Sequence, residues 1–196
     1  MKRQTIAVDI DDVLAAHAEA FIDFSNKKYG TSLTLEDYHD HWSYVWKVEY
    51  SEIERRAKEF HVPKSVMQYK LIQEADKAIH RLSGNYDLVI VSARGQDLLQ
   101  TTREWIDNYF AGLFVDTHFV PIWEPNNTVT KADICKQIGA AYLIDDVPGH
   151  CNIAAEEGIT ALLFGDYAWN RHEKIADKVV RVKNWQEVVE YFYGKS

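Results

Sequence analysis

Four short runs, TIAVDI (5–10), YDLVIVSA (86–93), YLIDD (142–146) and TALLF (160–164), are apolar at consecutive rather than alternate positions. A strand with one wet face alternates, so these runs call for burial on both faces, the condition met in a parallel sheet covered by helices. Amphipathic segments lie between them. QDLLQTTREWIDNYF (96–110) sets Leu98, Leu99, Trp105, Ile106 and Tyr109 near helical spacing. TKADICKQIG opens on Thr130 as an N-cap, has Asp133 three residues on and stops on Gly139, and NWQEVVEYF (184–192) repeats the pattern with Asn184 and Glu187. THFVPI (117–122) is a further candidate strand. The expected architecture is α/β, a doubly wound parallel sheet, whose ligands bind beyond the carboxyl ends of the strands.

One connection is too long for that plan. Residues 12 to 85, 74 in all, separate Asp11 from Tyr86, where a crossover with one helix needs about a dozen or so. The excess is structured: LAAHAEAFIDFSNKKYG closes on Gly30, YHDHWSYVWKVEY is aromatic, Ser51 to Glu54 reads as a helix-opening box, and EADKAIHRLSG is helical in pattern. The chain therefore divides into a core, 1–14 and 84–196, and a small helical insertion, 15–83.

Composition narrows the partners. With 30 acids against 22 bases the formal charge is −8, which speaks against gripping long nucleic acid through a basic face. No apolar run approaches bilayer length, and Asp9, Asp11 and Asp12 interrupt the opening MKRQTIAVDI before an export signal could form. A cytoplasmic protein, monomer or homodimer, is expected, with no membrane partner. Cys135 and Cys151, the two cysteines, lack metal-ligand spacing.

The polar residues that a buried sheet does not explain all fall at predicted strand ends. Asp9 and Asp11 end the first run, Ser92 ends the second, Lys131 opens the helix after EPNNTVT, and Asp145 with Asp146 ends YLIDD. Along one sheet edge they can meet in a single crevice. Such a set suits phosphoryl transfer: a carboxylate nucleophile, a second acid for the leaving alcohol, and a lysine and a hydroxyl for the phosphoryl oxygens. Anions about 4 Å apart repel by roughly 4 kcal/mol at an effective dielectric near 20, so a cation is required, and an all-oxygen ligand set suits Mg²⁺. Arg94, in VSARG, could reach the phosphate or belong to a surface loop. His150 follows DDVPG near the crevice, and Asp12 reads as a turn or helix N-terminal charge.

DIDD after the first strand, a Ser at the end of the second, a Lys at a helix start and a later DD, in that order, resemble the four motifs of the haloacid dehalogenase superfamily of phosphohydrolases. The resemblance covers most of the chain outside the insertion. It implies Asp9 as nucleophile, Asp11 as general acid and base, and Ser92 and Lys131 as phosphoryl ligands. Asp145 would bind Mg²⁺ together with Asp9 and the Asp11 carbonyl, and Asp146 would support the metal shell or orient Lys131. The insertion then stands where the superfamily carries a C1 cap, the lid that chooses the substrate.

A helical cap after DxDxVLA is similar to the 5′(3′)-deoxyribonucleotidase branch, whose members hydrolyse nucleoside monophosphates with the base held against cap aromatics. That makes a small phosphorylated metabolite the expected partner, with Trp42, Tyr44 and Trp46 the candidates for selecting it. The chain departs from the branch at Asp12, where Gly is usual, and at Ala16, where an acid commonly follows VLA. A sugar phosphate is the nearest alternative substrate, and a non-catalytic protein on the same fold the alternative class. A response-regulator receiver uses similar parts in a different order.

Overall fold

The computed structural model describes residues 3–39, 41–121 and 128–194. Six strands, β1 (Thr5–Val8), β2 (Asp87–Arg94), β3 (Phe114–Pro121), β4 (Ala140–Asp145), β5 (Thr160–Phe164) and β6 (Val179–Val182), form one sheet in the order β3-β2-β1-β4-β5-β6. Every pairing is parallel. The chain winds outward from β1 through β2 to β3, then returns to the other side of β1 for β4, β5 and β6. The switch point therefore falls between β1 and β4, the position where a doubly wound sheet opens a crevice for its ligand.

The helices are α1 (His17–Tyr29), α2 (Trp42–Trp46), α3 (Tyr50–Phe60), α4 (Pro63–Val66), α5 (Ala75–Ser83), α6 (Leu99–Phe110), α7 (Lys131–Ile138), α8 (Pro148–Glu156) and α9 (Trp185–Tyr193). Consecutive apolar residues of one strand serve opposite faces of the sheet. Ile6, Val8, Ile90, Ile144 and Leu162 join Ile79, Trp105, Ile106, Trp185 and Val188 of α5, α6 and α9. Ala7, Val89, Val91, Leu143, Ala161 and Leu163 join Ala132 and Cys135 of α7 and Cys151, Ala154 and Ala155 of α8. Two-sided burial is why these runs lack alternation.

Between β1 and β2 the chain makes α1 to α5. It leaves and returns along adjacent backbone: the Ala16 amide donates to the Lys70 carbonyl, and the Ile72 amide to the Leu14 carbonyl, both at 2.8 Å. The aromatic section packs on itself. Phe21 meets Trp42 at 4.7 Å and Trp46 at 4.8 Å between ring centroids, and Phe60 packs against Phe21 and Phe24.

Element ends differ from the expectations in informative ways. Helix α1 begins at His17, because Asp12 to Ala15 form a turn closed on the Ile10 carbonyl. Helix α3 begins at Tyr50 after Glu49, so Ser51 and Glu54 lie inside its first turns and do not form a capping box. Its Glu52 is taken instead by Arg55 and Arg56. Strand β3 starts three residues earlier than expected and runs to Pro121; Ile122 lies outside the described residues. Strand β6 was not anticipated, since VVRV is too short and too closely flanked by Lys178 and Lys183 to show a period. Among the described residues no helix is long and apolar enough to cross a membrane.

Helix α7 starts as expected: Thr130 Oγ1 accepts from the Asp133 amide at 3.1 Å, and Asp133 Oδ2 accepts from the Thr130 amide at 2.8 Å. This reciprocal cap fixes the first helical residue, Lys131. Thr130→Ala should cost about 1 kcal/mol, read as a lower urea midpoint with an unchanged denaturant slope; an unchanged midpoint would mean the cap contributes nothing.

Candidate active site

Beyond the carboxyl ends of β1 and β4 the chain buries an unusual amount of charge. Asp9, Lys131, Asp145, Asp146 and Arg94 are each at most 4% exposed. The Asp9 amide still donates to the Ile144 carbonyl at 3.0 Å, so Asp9 extends the β1–β4 ladder and its side chain enters the crevice beside Asp145. Lys131, delivered by the N-terminus of α7, lies 2.7 Å from Asp9 Oδ2 and 2.7 Å from Asp145 Oδ2. One ammonium thus bridges carboxylates from two adjacent strands. Burial alone would strip the proton from Lys131, but Asp145 and Asp9 hold it firmly in place.

The two carboxylates are not equivalent. Burial pushes the Asp9 carboxyl up, and the relief from Lys131 is countered by Asp145 and Asp11, so it stays above its ordinary range. Asp145, buried as deeply, is held below that range by Lys131 and by His150, whose Nδ1 lies 3.2 Å from Asp145 Oδ1. Asp145 Oδ1 also accepts from the Val147 amide at 3.0 Å. Asp9 Oδ1, in contrast, is buried with no hydrogen-bond partner.

Asp146 is held through Trp169, whose indole N–H donates to Asp146 Oδ2 at 2.7 Å. One carboxylate oxygen from each of Asp9, Asp145 and Asp146 lies within 4.8 Å of the others. Three clustered carboxylates against one ammonium leave excess negative charge, and the unpartnered Asp9 Oδ1 is an acceptor still to be satisfied. These residues fit a hard divalent cation with oxygen ligands.

Arg94 resolves one open choice. It is the last residue of β2 and is buried, not in a surface loop, with Nη2 placed 2.5 Å from Asp11 Oδ1. Burial pushes the Asp11 carboxyl up, but the Arg94 guanidinium outweighs this and holds it low. Arg94 Nε and the Ser92 hydroxyl, both on β2, are buried without partners. Asp12 takes a left-handed backbone, φ 54°, a conformation that Asp tolerates better than most residues and Gly adopts freely. Its carboxylate accepts from the Ala18 amide at 2.9 Å, so it caps α1. This explains how Asp can stand where Gly is usual in the similar branch.

The aromatic residues of the insertion separate. Trp46 is buried, with its indole N–H donating to Ser25 Oγ at 3.0 Å, and serves the packing of the insertion. Tyr44 is exposed beside His39 and His41. Trp42 lies nearly parallel to His17 at a centroid distance of 6.2 Å and tilted against His61 at 5.0 Å. Sequence reasoning missed those two histidines and Tyr69, whose buried hydroxyl has no partner and whose ring lies under Arg94. No motif flags them; their relation to Asp11 comes from the return of the insertion to the sheet. The Trp169 contact was likewise invisible. A groove of about 790 Å³ runs along α1 past Glu19, Asp23 and Lys27 and is lined by none of the clustered acids.

Solved structures share this architecture. A haloacid dehalogenase-like hydrolase from Streptococcus pneumoniae superposes with a TM-score of 0.71 at 16% identity, covering 97% of this chain and 98% of that one. The HAD-type protein YfnB of Bacillus subtilis, solved bound to magnesium, gives 0.63 at 12% identity over 98% of this chain and 100% of its own. These likenesses establish the fold, that of the haloacid dehalogenase-type hydrolases.

Sequence comparison is more particular. The model of the family described as 5′ nucleotidase, deoxy (pyrimidine), cytosolic type C protein matches residues 3–194, and the chain belongs to that family. A nucleotidase from Clostridium acetobutylicum is 25% identical over 198 residues, 96% of this chain and 93% of its own length. A Staphylococcus aureus protein provisionally named a 5′(3′)-deoxyribonucleotidase is 27% identical over 197 residues, 98% of this chain and 97% of its own. The protein is a phosphoric monoester hydrolase of the nucleotidase branch.

Burial of His61 has a measurable consequence. Burial pushes the His61 imidazole from 6.5 down to about 3. The unfolded chain therefore takes up a proton that the folded chain refuses, and the stability this contributes is full above pH 6.5 and is lost as pH falls toward 3. Each such group adds a slope of up to roughly 1.4 kcal/mol per pH unit. His61→Gln should therefore lose less stability than the wild type between about pH 7 and about pH 5, measured by urea unfolding; parallel losses would show that His61 is protonated in the fold.

Proposed function

We propose that the protein is a Mg²⁺-dependent phosphatase of nucleoside or deoxynucleoside monophosphates that works through an aspartyl-phosphate on Asp9, in the cytoplasm. The observation that carries the reading is the buried, unpartnered Asp9 Oδ1 at the switch point, facing an acid cluster that one lysine does not neutralise.

In this reading Asp9, Asp145 and Asp146, with the main-chain carbonyl of Asp11, hold the cation. Magnesium, when bound, supplies the positive charge that lets a carboxylate approach a phosphate dianion. An Asp9 oxygen attacks phosphorus, the bond from phosphorus to the ester oxygen breaks, and as the alcohol leaves that oxygen takes a proton from Asp11, whose carboxyl can carry one once the substrate phosphate draws the Arg94 charge away from it. Asp11 then takes a proton from water, the water oxygen bonds to phosphorus, and the Asp9–phosphorus bond breaks to release phosphate and restore the carboxylate. Lys131 and the unpartnered Ser92 hydroxyl stand where they can hold phosphoryl oxygens. Arg94 shares its charge between Asp11 and the incoming phosphate; its unpartnered Nε supports that role.

The insertion between the paired segments at 14–16 and 70–72 acts as the cap; α5, the last part of the expected 15–83, packs on the sheet with α6 and α9 and belongs to the core. Within it Trp42, flanked by His17 and His61, is the aromatic residue best related to the acids for stacking a base, since His17 Nδ1 lies 3.8 Å from a carboxylate oxygen of Asp12, the neighbour of Asp11. The similarity to nucleotidases over nearly the whole chain supports a nucleotide as substrate.

Phosphate release from nucleoside monophosphates should vanish with a chelator and return with Mg²⁺. Asp9→Asn should reduce it to background. Asp11→Asn should slow it by roughly 10²- to 10⁴-fold, most for esters of poorly acidic alcohols. Turnover by Asp9→Asn at the wild-type rate would refute the nucleophile.

A further inference from the structure

Residue 146 is gripped from both ends by two neighbouring residues of the connection from β5 to β6. The Trp169 indole donates to its carboxylate at 2.7 Å, and Asn170 Nδ2 donates to its main-chain carbonyl at 3.0 Å. Both gripping residues are buried, Asn170 completely. Asn170 is itself fixed, since Nδ2 also donates to the Phe164 carbonyl and Oδ1 accepts from the Tyr167 amide. The Trp169 ring cannot swing: it lies flat on Tyr167, with centroids 4.3 Å apart and planes 6° apart, and meets the edge of Tyr38 at 4.9 Å. An indole N–H only donates, so its direction is imposed on whatever accepts from it.

The same segment touches the other parts of the site. The Tyr167 hydroxyl donates to the Asp12 carbonyl at 2.8 Å, in the turn that carries Asp11. Tyr38 and Glu36 belong to the insertion, and Glu36 forms a two-pronged pair with Arg171. The turn that starts the segment depends on Gly165, at φ +87°, where a Cβ would sit 2.0 Å from the Tyr167 ring. Packing alone does not call for a donor aimed at a buried carboxylate from one side and a ring of the insertion laid on its other edge.

We propose that residues 165–171 are a positioning clamp, in which Trp169 sets the orientation of Asp146 for the divalent cation and transmits the position of the insertion to it through Tyr38. The inference rests on the metal reading given above. Donors to metal-binding side chains commonly change metal affinity by roughly ten- to a hundred-fold when removed. Trp169→Phe keeps an aromatic ring between the two tyrosines and removes the N–H together with the five-membered ring that carries it.

The test is titration of the apoprotein with Mg²⁺ by calorimetry. Trp169→Phe should raise the Kd for Mg²⁺ by roughly ten- to a hundred-fold, with its turnover deficit made good by excess Mg²⁺. Tyr38→Ala should shift the Kd in the same direction by less. On ¹⁵N-labelled wild-type protein, which needs no variant to fold, the Trp169 indole resonance should move with the calorimetric midpoint. An unchanged Kd in folded Trp169→Phe, or an indole resonance indifferent to Mg²⁺, overturns the clamp and leaves the proposed function standing. A Kd moved by Trp169→Phe but not by Tyr38→Ala overturns the link to the insertion. Failure of the wild type to bind Mg²⁺, where Asp145→Asn serves as the non-binding reference, overturns both readings.

Discussion

The site depends on one buried ammonium. Lys131 touches Asp9 and Asp145 at equal distances, and those residues end the two strands that flank the switch point. Without it, carboxylates carried side by side into a region of at most 5% side-chain exposure would repel each other and lose water at once. Removing one member of a buried charged group typically costs about 3–5 kcal/mol, because the others are left uncompensated. Lys131 therefore joins two strand ends and builds the site: the acids after β1 and at the end of β4 are compensated because α7 returns a lysine between them. Its charge is insufficient for three carboxylates, and the site retains a demand for positive charge that a divalent cation meets.

Parallel topology makes the arrangement cheap in sequence. Asp9 and Asp145 are 136 positions apart, yet need only follow the last buried residue of neighbouring strands to converge. The fold does not have to shape a pocket residue by residue; the crevice comes with the reversal of winding. Arg94 adds a third strand end, from β2 on the far side of β1, and its pair with Asp11 fixes the one acid of the group that keeps appreciable exposure, 26% of its side chain.

The legible part of the molecule was the part governed by repetition and by chain ends. Unalternating strands, the Thr130 cap and the acids beyond β1 and β4 follow from local rules, and each can be read without knowing its neighbours. Strand β6 escaped because four residues carry no period. The Ser51 box failed because capping needs non-helical backbone at the cap residue, and the chain was already helical one residue earlier, at Tyr50. The inward direction of Trp46 was hidden for a different reason: aromatic density records that rings are needed, not which way they face, and a small insertion uses many of them to fill its own interior. His17, His61, Tyr69 and Trp169 meet the site only through long-range return of the chain, which no local pattern records.

The insertion is tied to the core by unequal means. At its base, the outgoing strand at 14–16 and the returning strand at 70–72 are hydrogen-bonded to each other, so the two connections move as one ribbon. Farther out it meets the core through rings and one exposed ion pair, Tyr38 on Trp169 and Glu36 with Arg171. Ring edges slide at small cost, and exposed ion pairs contribute about 0–1 kcal/mol, so this outer contact is the weaker one. Lys131 pairs with Asp9 and Asp145, both at strand ends, so a shift at this outer edge reaches the ammonium only by way of the residues around it. The proposed route from the insertion to the cluster therefore runs through Tyr38, Trp169 and Asp146, while the ammonium beneath is held from the strand ends alone.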